Sequence, residues 1–311
     1  MIRTLLFGAG AGALLYLENE QHRRSFIGFI DNDTRKHGTD FAGLPVLPPE
    51  GIAELSYDEI VITTQWATDV RKQLLEQFHV PPERVVIPPK QQLKKPQPFL
   101  DPSTYTLAQS LVRSICIAAH RDGIPLVVDF GTLLGIVREG NLLPWDDDVD
   151  FSIPLEHAPK LLQWLPSVLQ SLELPSGWWL EVLENQQGEC ASLLLKFPSD
   201  SASCVPFITS ICSRQNEAGF SRHMPSLGMW YAPIDHFDKM DVISWKGVEV
   251  QVPAEYETYL TFVYGDWKTP KRDISLEDYN HLGESSYDAF ADACFSVRRL
   301  ESSCGTNVEQ P

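Results

Sequence analysis

VVDFGTLLGIVREGNLLPWDDDVDFSI, residues 127–153, places Asp146, Asp147, Asp148 and Asp150 within five positions at the start of an apolar run. An extended chain sends successive side chains to opposite faces, so Asp148, Asp150 and Ser152 share one face and Val149, Phe151 and Ile153 the other. The apolar face can anchor a strand in a core, while the acidic face holds two carboxylates about 6–7 Å apart. Carboxylates crowded in this way repel one another and resist ionisation unless a cation compensates. Mg2+, or Mn2+ in its place, suits the set, because it takes a few carboxylates, waters and the phosphate oxygens of a substrate. A solvated acidic turn is the plainer alternative. Pro144–Trp145 on one side and the apolar strand on the other weigh against it. An EF-hand loop is excluded, since its glycine and terminal glutamate are missing at the required offsets.

Working outward, PLVV before this block reads as a strand, and Gly131-Thr132 opens a short helix, TLLGIVREG. Small residues there let a phosphate approach the backbone N–H groups of the helix N-terminus. Further upstream, TYTLAQSLVRSICIAAHRDG has helical apolar spacing and a glycine stop. Downstream, HAPKLLQWLPSVLQSL reads as a helix, and WWLEVLE, ASLLLKF and KGVEVQVP read as strands. AEYETYLTFVYG and SYDAFADACFSVRRLE complete the pattern as helices, giving a mixed α+β domain over 104–300. Residues 301–311 read as a flexible tail and 91–103, rich in Pro, Gln and Lys, as a linker. Before the linker, IRTLLF, SFIGFIDND, DEIVITT and RVVIPP alternate with helical segments, which implies a small Rossmann-like parallel sheet over 1–90. The fold class is therefore α/β plus α+β.

The order strand, Gly-Ser-like pair, helix, then a strand carrying acid–apolar–acid resembles the core of the polymerase-β-type nucleotidyltransferase fold. More narrowly, GTLLGIVREGNLLPWDDDVD resembles the signature of the LicD/fukutin family of phosphotransferases. A second block, KGVEVQVPAEYETYLTFVYGDWKTP at 246–270, resembles that family's closing segment, and the resemblance spans roughly residues 104–275. It implies transfer of a phospho-alcohol, such as phosphocholine or a polyol phosphate, from a CDP-activated donor to a hydroxyl of a glycan or glycolipid acceptor. By position it implies Asp148 and Asp150 as metal ligands, assisted by Asp146 and Asp147. It further implies that Arg138 steadies the phosphates or the acids, and that Gly131 and Thr132 line the phosphate pocket. Two departures stand out. Asp129 is an acid where the family has a small or polar residue, and SCVPFITSI lacks the third carboxylate of the family's middle strand. Asp200, Asp235 and Asp241 are the candidates to replace it. The same metal site would serve a nucleotidylyltransferase releasing pyrophosphate, and a non-catalytic nucleotide-binding scaffold is the alternative outside enzymology.

In the first half, Gly8, Gly10 and Ala13 fit G-x-G-x-x-A after a strand, and Asp31 closes the second strand where an acid can hold a ribose hydroxyl. This half resembles the small nucleotide-binding-type domains attached to polysaccharide-biosynthesis enzymes, with a scaffold or dimerisation role as the alternative. This half carries no Tyr-x-x-x-Lys, which disfavours NAD-dependent redox chemistry.

The formal charge is −17 and uneven: residues 1–95 hold 11 Lys and Arg against 12 Asp and Glu, and the remainder holds 14 against 30. So acidic a second half argues against nucleic acid as a partner. The six cysteines form no CxxC pair and read as reduced thiols; a zinc site from Cys190, Cys204, Cys212 and His223 has no supporting spacing. His236, in PIDHFDKMD, is the most suggestive histidine. No apolar run reaches membrane-spanning length and the N-terminus lacks signal-peptide form, so a cytoplasmic location is expected. Peripheral contact with a membrane-bound acceptor and self-association are both compatible with that expectation.

Overall fold

The computed structural model describes residues 1–64, 66–93, 97–199, 201–271 and 295–300, which fall into two compact units. The first is built on β1 (Ile2–Phe7), α1 (Ala11–Glu20), β2 (Arg24–Ile30), β3 (Asp40–Phe41), β4 (Leu44–Leu47), β5 (Glu59–Ile62), α2 (Ala67–Glu76) and β6 (Val85–Val86). The sheet order is β3-β4-β2-β1-β5-β6. All pairings are parallel except the β3–β4 hairpin. Counting only the parallel strands in chain order gives 3-2-1-4-5, the Rossmann-like arrangement. Leu5, Leu6 and Phe7 are all buried, as a strand covered on both faces requires. The hairpin was not anticipated from the sequence. Its two-residue turn, Ala42-Gly43, has positive φ at both positions, and Asp40 Oδ1 accepts from the Gly43 N–H at 2.8 Å.

The second unit contains α3 (Pro102–Asp122), β7 (Val127–Val128), α4 (Phe130–Glu139), β8 (Asp148–Pro154), α5 (Ala158–Gln170), β9 (Trp179–Glu184) and β10 (Cys190–Lys196). It continues through β11 (Ile208–Glu217), β12 (Phe220–His223), β13 (Tyr231–Pro233), α6 (Asp235–Asp238), β14 (Met240–Trp245), β15 (Val248–Pro253), α7 (Tyr256–Tyr264) and β16 (Ser296–Leu300). The main sheet runs β13-β12-β11-β10-β9-β16, with β8 parallel on β11 and β7 antiparallel on β8; β14 and β15 form their own ladder. The unit is thus a mixed α+β domain around one core in which Leu111, Ile115, Val128, Leu133, Val149, Phe151, Leu193 and Tyr259 are buried. Asp101 caps α3 by accepting from the Thr104 N–H at 2.8 Å, and Gly123, left-handed at φ +60°, ends it.

One expectation is corrected. Residues 296–300, read as the end of a helix, form β16 and pair antiparallel with β9; residues 286–294 lie outside the described residues. The open edge of β9 needs a ladder partner, and Arg298 reaches Glu184 across the pair at 2.7 Å. The segment SCVPFITSI, given no element from its pattern, leads into β11, which pairs with β8, β10 and β12. The stretch expected as linker holds 3-10 turns at 90–93 and 98–100, and Phe99 in the second is buried against Phe207, ring centroids 5.4 Å apart. The tail at 301–311 lies outside the described residues. Among the described residues no helix is long and apolar enough to cross a membrane.

Glycine spacing in α1 reflects close packing. A Cβ on Gly12 would stand 2.5 Å from the Thr63 carbonyl oxygen, whereas one on Gly10 would meet nothing within 4 Å. Gly12→Ala should therefore destabilise the fold by about 1–3 kcal/mol. Gly10→Ala should change stability by no more than about 0.5 kcal/mol. Calorimetric unfolding of the two variants checks the contrast, and equal effects would contradict the close approach.

Candidate active site

The acids sit where α4, the loop after it and β8 converge. Asp146 N–H closes the loop on the Leu143 carbonyl at 3.1 Å. Carboxylate oxygens of Asp146, Asp147 and Asp148, all partly buried, lie within 4.8 Å of one another. Among the described residues no other group of three or more His, Cys, Asp or Glu side chains gathers as closely. Gly131 makes the gathering possible: a Cβ there would stand 2.1 Å from Asp146 Oδ2, so the carboxylate rests in the space a side chain would fill. Gly135, one turn on, admits the returning loop in the same way, with the Asn141 oxygen 2.6 Å from its ideal Cβ.

Asp150 is outside that trio and is held at three points. Its N–H donates to Thr132 Oγ1 at 2.8 Å, its carbonyl accepts from the Asp129 N–H at 3.0 Å, and its Oδ1 accepts from Ser210 Oγ at 2.7 Å. Thr132, expected in a phosphate pocket, is 2% exposed and its hydroxyl faces the backbone of β8. The β8–β11 register sets Ser210 opposite Asp150 and Ile208 opposite Asp148. A serine therefore stands on the neighbouring strand beside Asp150.

Asp129 belongs beneath the acids and not among them. It is fully buried at the N-cap of α4, where Oδ1 accepts from the Phe130 N–H at 2.8 Å and from the Tyr259 hydroxyl at 2.5 Å. Oδ2 accepts from Ser152 Oγ at 2.5 Å and from Arg214 Nη2 at 2.6 Å and Nε at 3.2 Å. The Arg214 guanidinium lies 4.0 Å from the centroid of the Phe237 ring. Burial by itself would raise the Asp129 carboxyl; Arg214, with the Ser152 and Tyr259 hydroxyls, outweighs it and holds the group below the usual carboxylate range. Burial, followed by the charge of Asp129, pushes the Tyr259 phenol well above its ordinary value.

The remaining candidates have structural partners. Arg138 donates to Glu139 Oε1 at 2.8 Å and to the Trp267 carbonyl at 3.0 Å, and lies 5.9 Å from the Trp145 ring centroid. It thus supports the tryptophan that precedes the acids. Asp241 accepts from the Glu255 N–H at 2.8 Å, Asp235 starts α6, and Asp200 lies outside the described residues. His236 Nδ1 pairs with the Ala254 carbonyl at 2.6 Å. Cys190, Cys204 and Cys212 are buried free thiols, and burial pushes the Cys190 thiol up to about 12. Burial, then Arg214, pushes the His223 imidazole down to about 3.

In the first unit Gly8, at φ +106°, donates its N–H to the Ile30 carbonyl at 2.7 Å, and Gly10 caps α1 in an extended conformation. Asp31 is buried; Oδ2 accepts from the Ala9 N–H at 2.8 Å and Lys36 Nζ at 2.9 Å, and Oδ1 from the Asp33 N–H at 2.8 Å. Oδ2 thus ties the glycine turn to the end of β2, and Oδ1 braces the turn that follows the strand.

Residues 123–255 match the family described as LicD/FKTN/FKRP, nucleotidyltransferase domain. The second unit carries a LicD-type nucleotidyltransferase domain. Residues 1–86 match a second family, C2185-like, N-terminal. No curated protein is matched. Solved structures similar to the chain include UDP-D-quinovosamine 4-dehydrogenase from Vibrio fischeri, 25% identical, covering 25% of this chain and 73% of that one at a TM-score of 0.22. The putative oxidoreductase yvaA from Bacillus subtilis is 14% identical, with 84% and 88% covered at 0.23. Biliverdin reductase from Synechocystis sp. PCC 6803 is 12% identical, with 89% and 94% covered at 0.27. At such TM-scores these likenesses carry no argument. The LicD-type domain points to a transferase with a phosphotransferase-type role in glycan biosynthesis.

The sequence pattern missed Ser210, Arg214 and Tyr259 as neighbours of the acid strand. Only the alternation of SICSR along a strand could have signalled that Ser210, Cys212 and Arg214 share a face. The Asp129–Arg214 pair also fixes a pH dependence. Because the folded carboxyl is depressed, its contribution is present above the unfolded value of about 3.9 and is lost as pH falls through the lower folded value. Arg214→Met should reverse this sign by leaving a buried carboxylate without its cation. The variant should lose about 3–5 kcal/mol at about pH 7, and the loss should shrink as Asp129 protonates toward about pH 5. Urea unfolding at the two pH values checks it; a pH-independent loss would contradict an ionised pair.

Proposed function

We propose that the chain is a metal-dependent phosphotransferase that moves a phospho-alcohol from a CDP-activated donor to a glycan hydroxyl in surface polysaccharide biosynthesis. The observation that carries this reading is the carboxylate trio seated on Gly131 beside Asp150, within a LicD-type domain. The donor set consists of carboxylate oxygens only, which fits a hard divalent cation. Mg2+ or Mn2+, held by Asp148 together with Asp146, Asp147 and Asp150, would neutralise the donor diphosphate and stabilise the CMP leaving group when bound. The chain's own residues do the rest. Gly131 leaves room for Asp146, while Thr132 and Ser210 fix the backbone and carboxylate of Asp150. The acceptor hydroxyl attacks the distal phosphorus in line as the bond to CMP breaks, and a carboxylate of the set takes its proton. Arg138 holds Trp145 at the approach to the acids.

Incubation with Mg2+, a panel of CDP-alcohols and candidate glycans, followed by assay of nucleotide products, tests the reading. CMP should appear only with metal, and Asp150→Asn should reduce its release on the order of a hundredfold or more. Pyrophosphate release from a nucleoside triphosphate would point to the nucleotidylyltransferase instead. Nucleotide binding that ignores both metal and Asp150→Asn would point to a scaffold. Gly131→Ala supplies an independent check, since its Cβ must displace Asp146: Mn2+ affinity measured by electron paramagnetic resonance should fall about tenfold with the fold retained.

A further inference from the structure

Three of the contacts that hold Asp150 lie on elements that the Asp129 side chain ties together. Thr132, which holds the Asp150 N–H, is on α4, and Asp129 caps that helix through the Phe130 N–H. Ser210, which holds the Asp150 carboxylate, is on β11, and Asp129 grips that strand through Arg214. The third contact is the Asp129 N–H itself, on the Asp150 carbonyl, and Ser152, two residues further along β8, donates to Asp129 Oδ2. Tyr259 brings in a fourth element, α7. Its hydroxyl donates to Asp129 Oδ1 and lies 3.1 Å from Arg214 Nη2.

The centre of this set is out of reach of water: Asp129 and Tyr259 are 0% exposed and Arg214 is 2%. A buried carboxylate that loses one donor cannot replace it from solvent, so it moves toward those that remain. The Asp129 N–H holds the Asp150 carbonyl, so any part of that movement that reaches the Asp129 backbone is passed to the acid strand. We propose that Asp129, Arg214 and Tyr259 are positioning residues for Asp150, and that Tyr259 makes the docking of α7 a condition for presenting the acid strand. The consequence for metal binding rests on the function proposed above; the mechanical link does not.

Tyr259→Phe removes one hydroxyl and keeps the ring in the core, with Ser152 and Arg214 still paired to Asp129. Val168→Ala on α5 serves as a core truncation away from the network. Hydrogen–deuterium exchange of the segment 148–152 is compared in the two full-length variants at matched global stability. Tyr259→Phe should speed exchange there about tenfold relative to Val168→Ala. Equal exchange in the two variants would overturn the proposal, whatever the metal results. Mn2+ titration of the same proteins forms the second arm. Weaker binding in Tyr259→Phe alone is expected, and unchanged binding would overturn the link to the acids. Absence of Mn2+ binding to the wild-type chain would instead remove the functional reading, and the exchange arm would still decide the positioning role.

Discussion

Removing both an aspartate and an arginine from water is costly unless each finds nearly all its hydrogen bonds inside. Asp129 and Arg214 meet that condition only in one arrangement of the second unit, because their partners come from α4, β8, β11 and α7. The residues involved lie up to 130 positions apart in the chain. A hydrophobic core of this size could accept small slips between its layers. A buried pair whose carboxylate accepts five directed hydrogen bonds cannot, and the acid strand inherits that rigidity.

Close backbone approach supplies a second constraint. Gly131 and Gly135 lie on successive turns of α4, and each admits a piece of the loop leading to β8. At Gly131 the intruder is the carboxylate of Asp146, and at Gly135 it is the backbone of Asn141 and Leu143. The glycines thus let an acidic loop fold back over a helix whose N-terminus already favours negative charge. The loop thereby gathers three carboxylates whose mutual repulsion a divalent cation, on the function proposed here, would relieve.

The two units treat an acid after a glycine-rich turn in similar ways. Asp31 in the first and Asp129 in the second are both buried and both accept from backbone N–H groups at the start of a helix or turn. In each case a cation, Lys36 or Arg214, balances the charge. An acid in such a position is as readily a brace for the turn as a ligand for what binds there.

Local pattern determined much of this protein. Alternation in DVDFSIP set the acids on one face and the core on the other, helical spacing closed by Gly123 marked α3, and apolar runs between helices announced a Rossmann-like sheet. Signals of that kind depend on residues within a few positions of one another. What stands beside those residues depends on contacts between distant segments. The partner of Asp150 is a serine 60 positions away, the role of Asp129 follows from Arg214 and Tyr259, and Asp31 turns inward because Lys36 reaches it. The strand at 296–300 follows the same logic, since the unpaired edge of β9 decided it against the helical spacing of its own residues. Sequence by itself named the acids; the tertiary structure decided which of them gather as a set and which one is buried behind Asp150, because register and burial are properties of packed segments and not of any one of them.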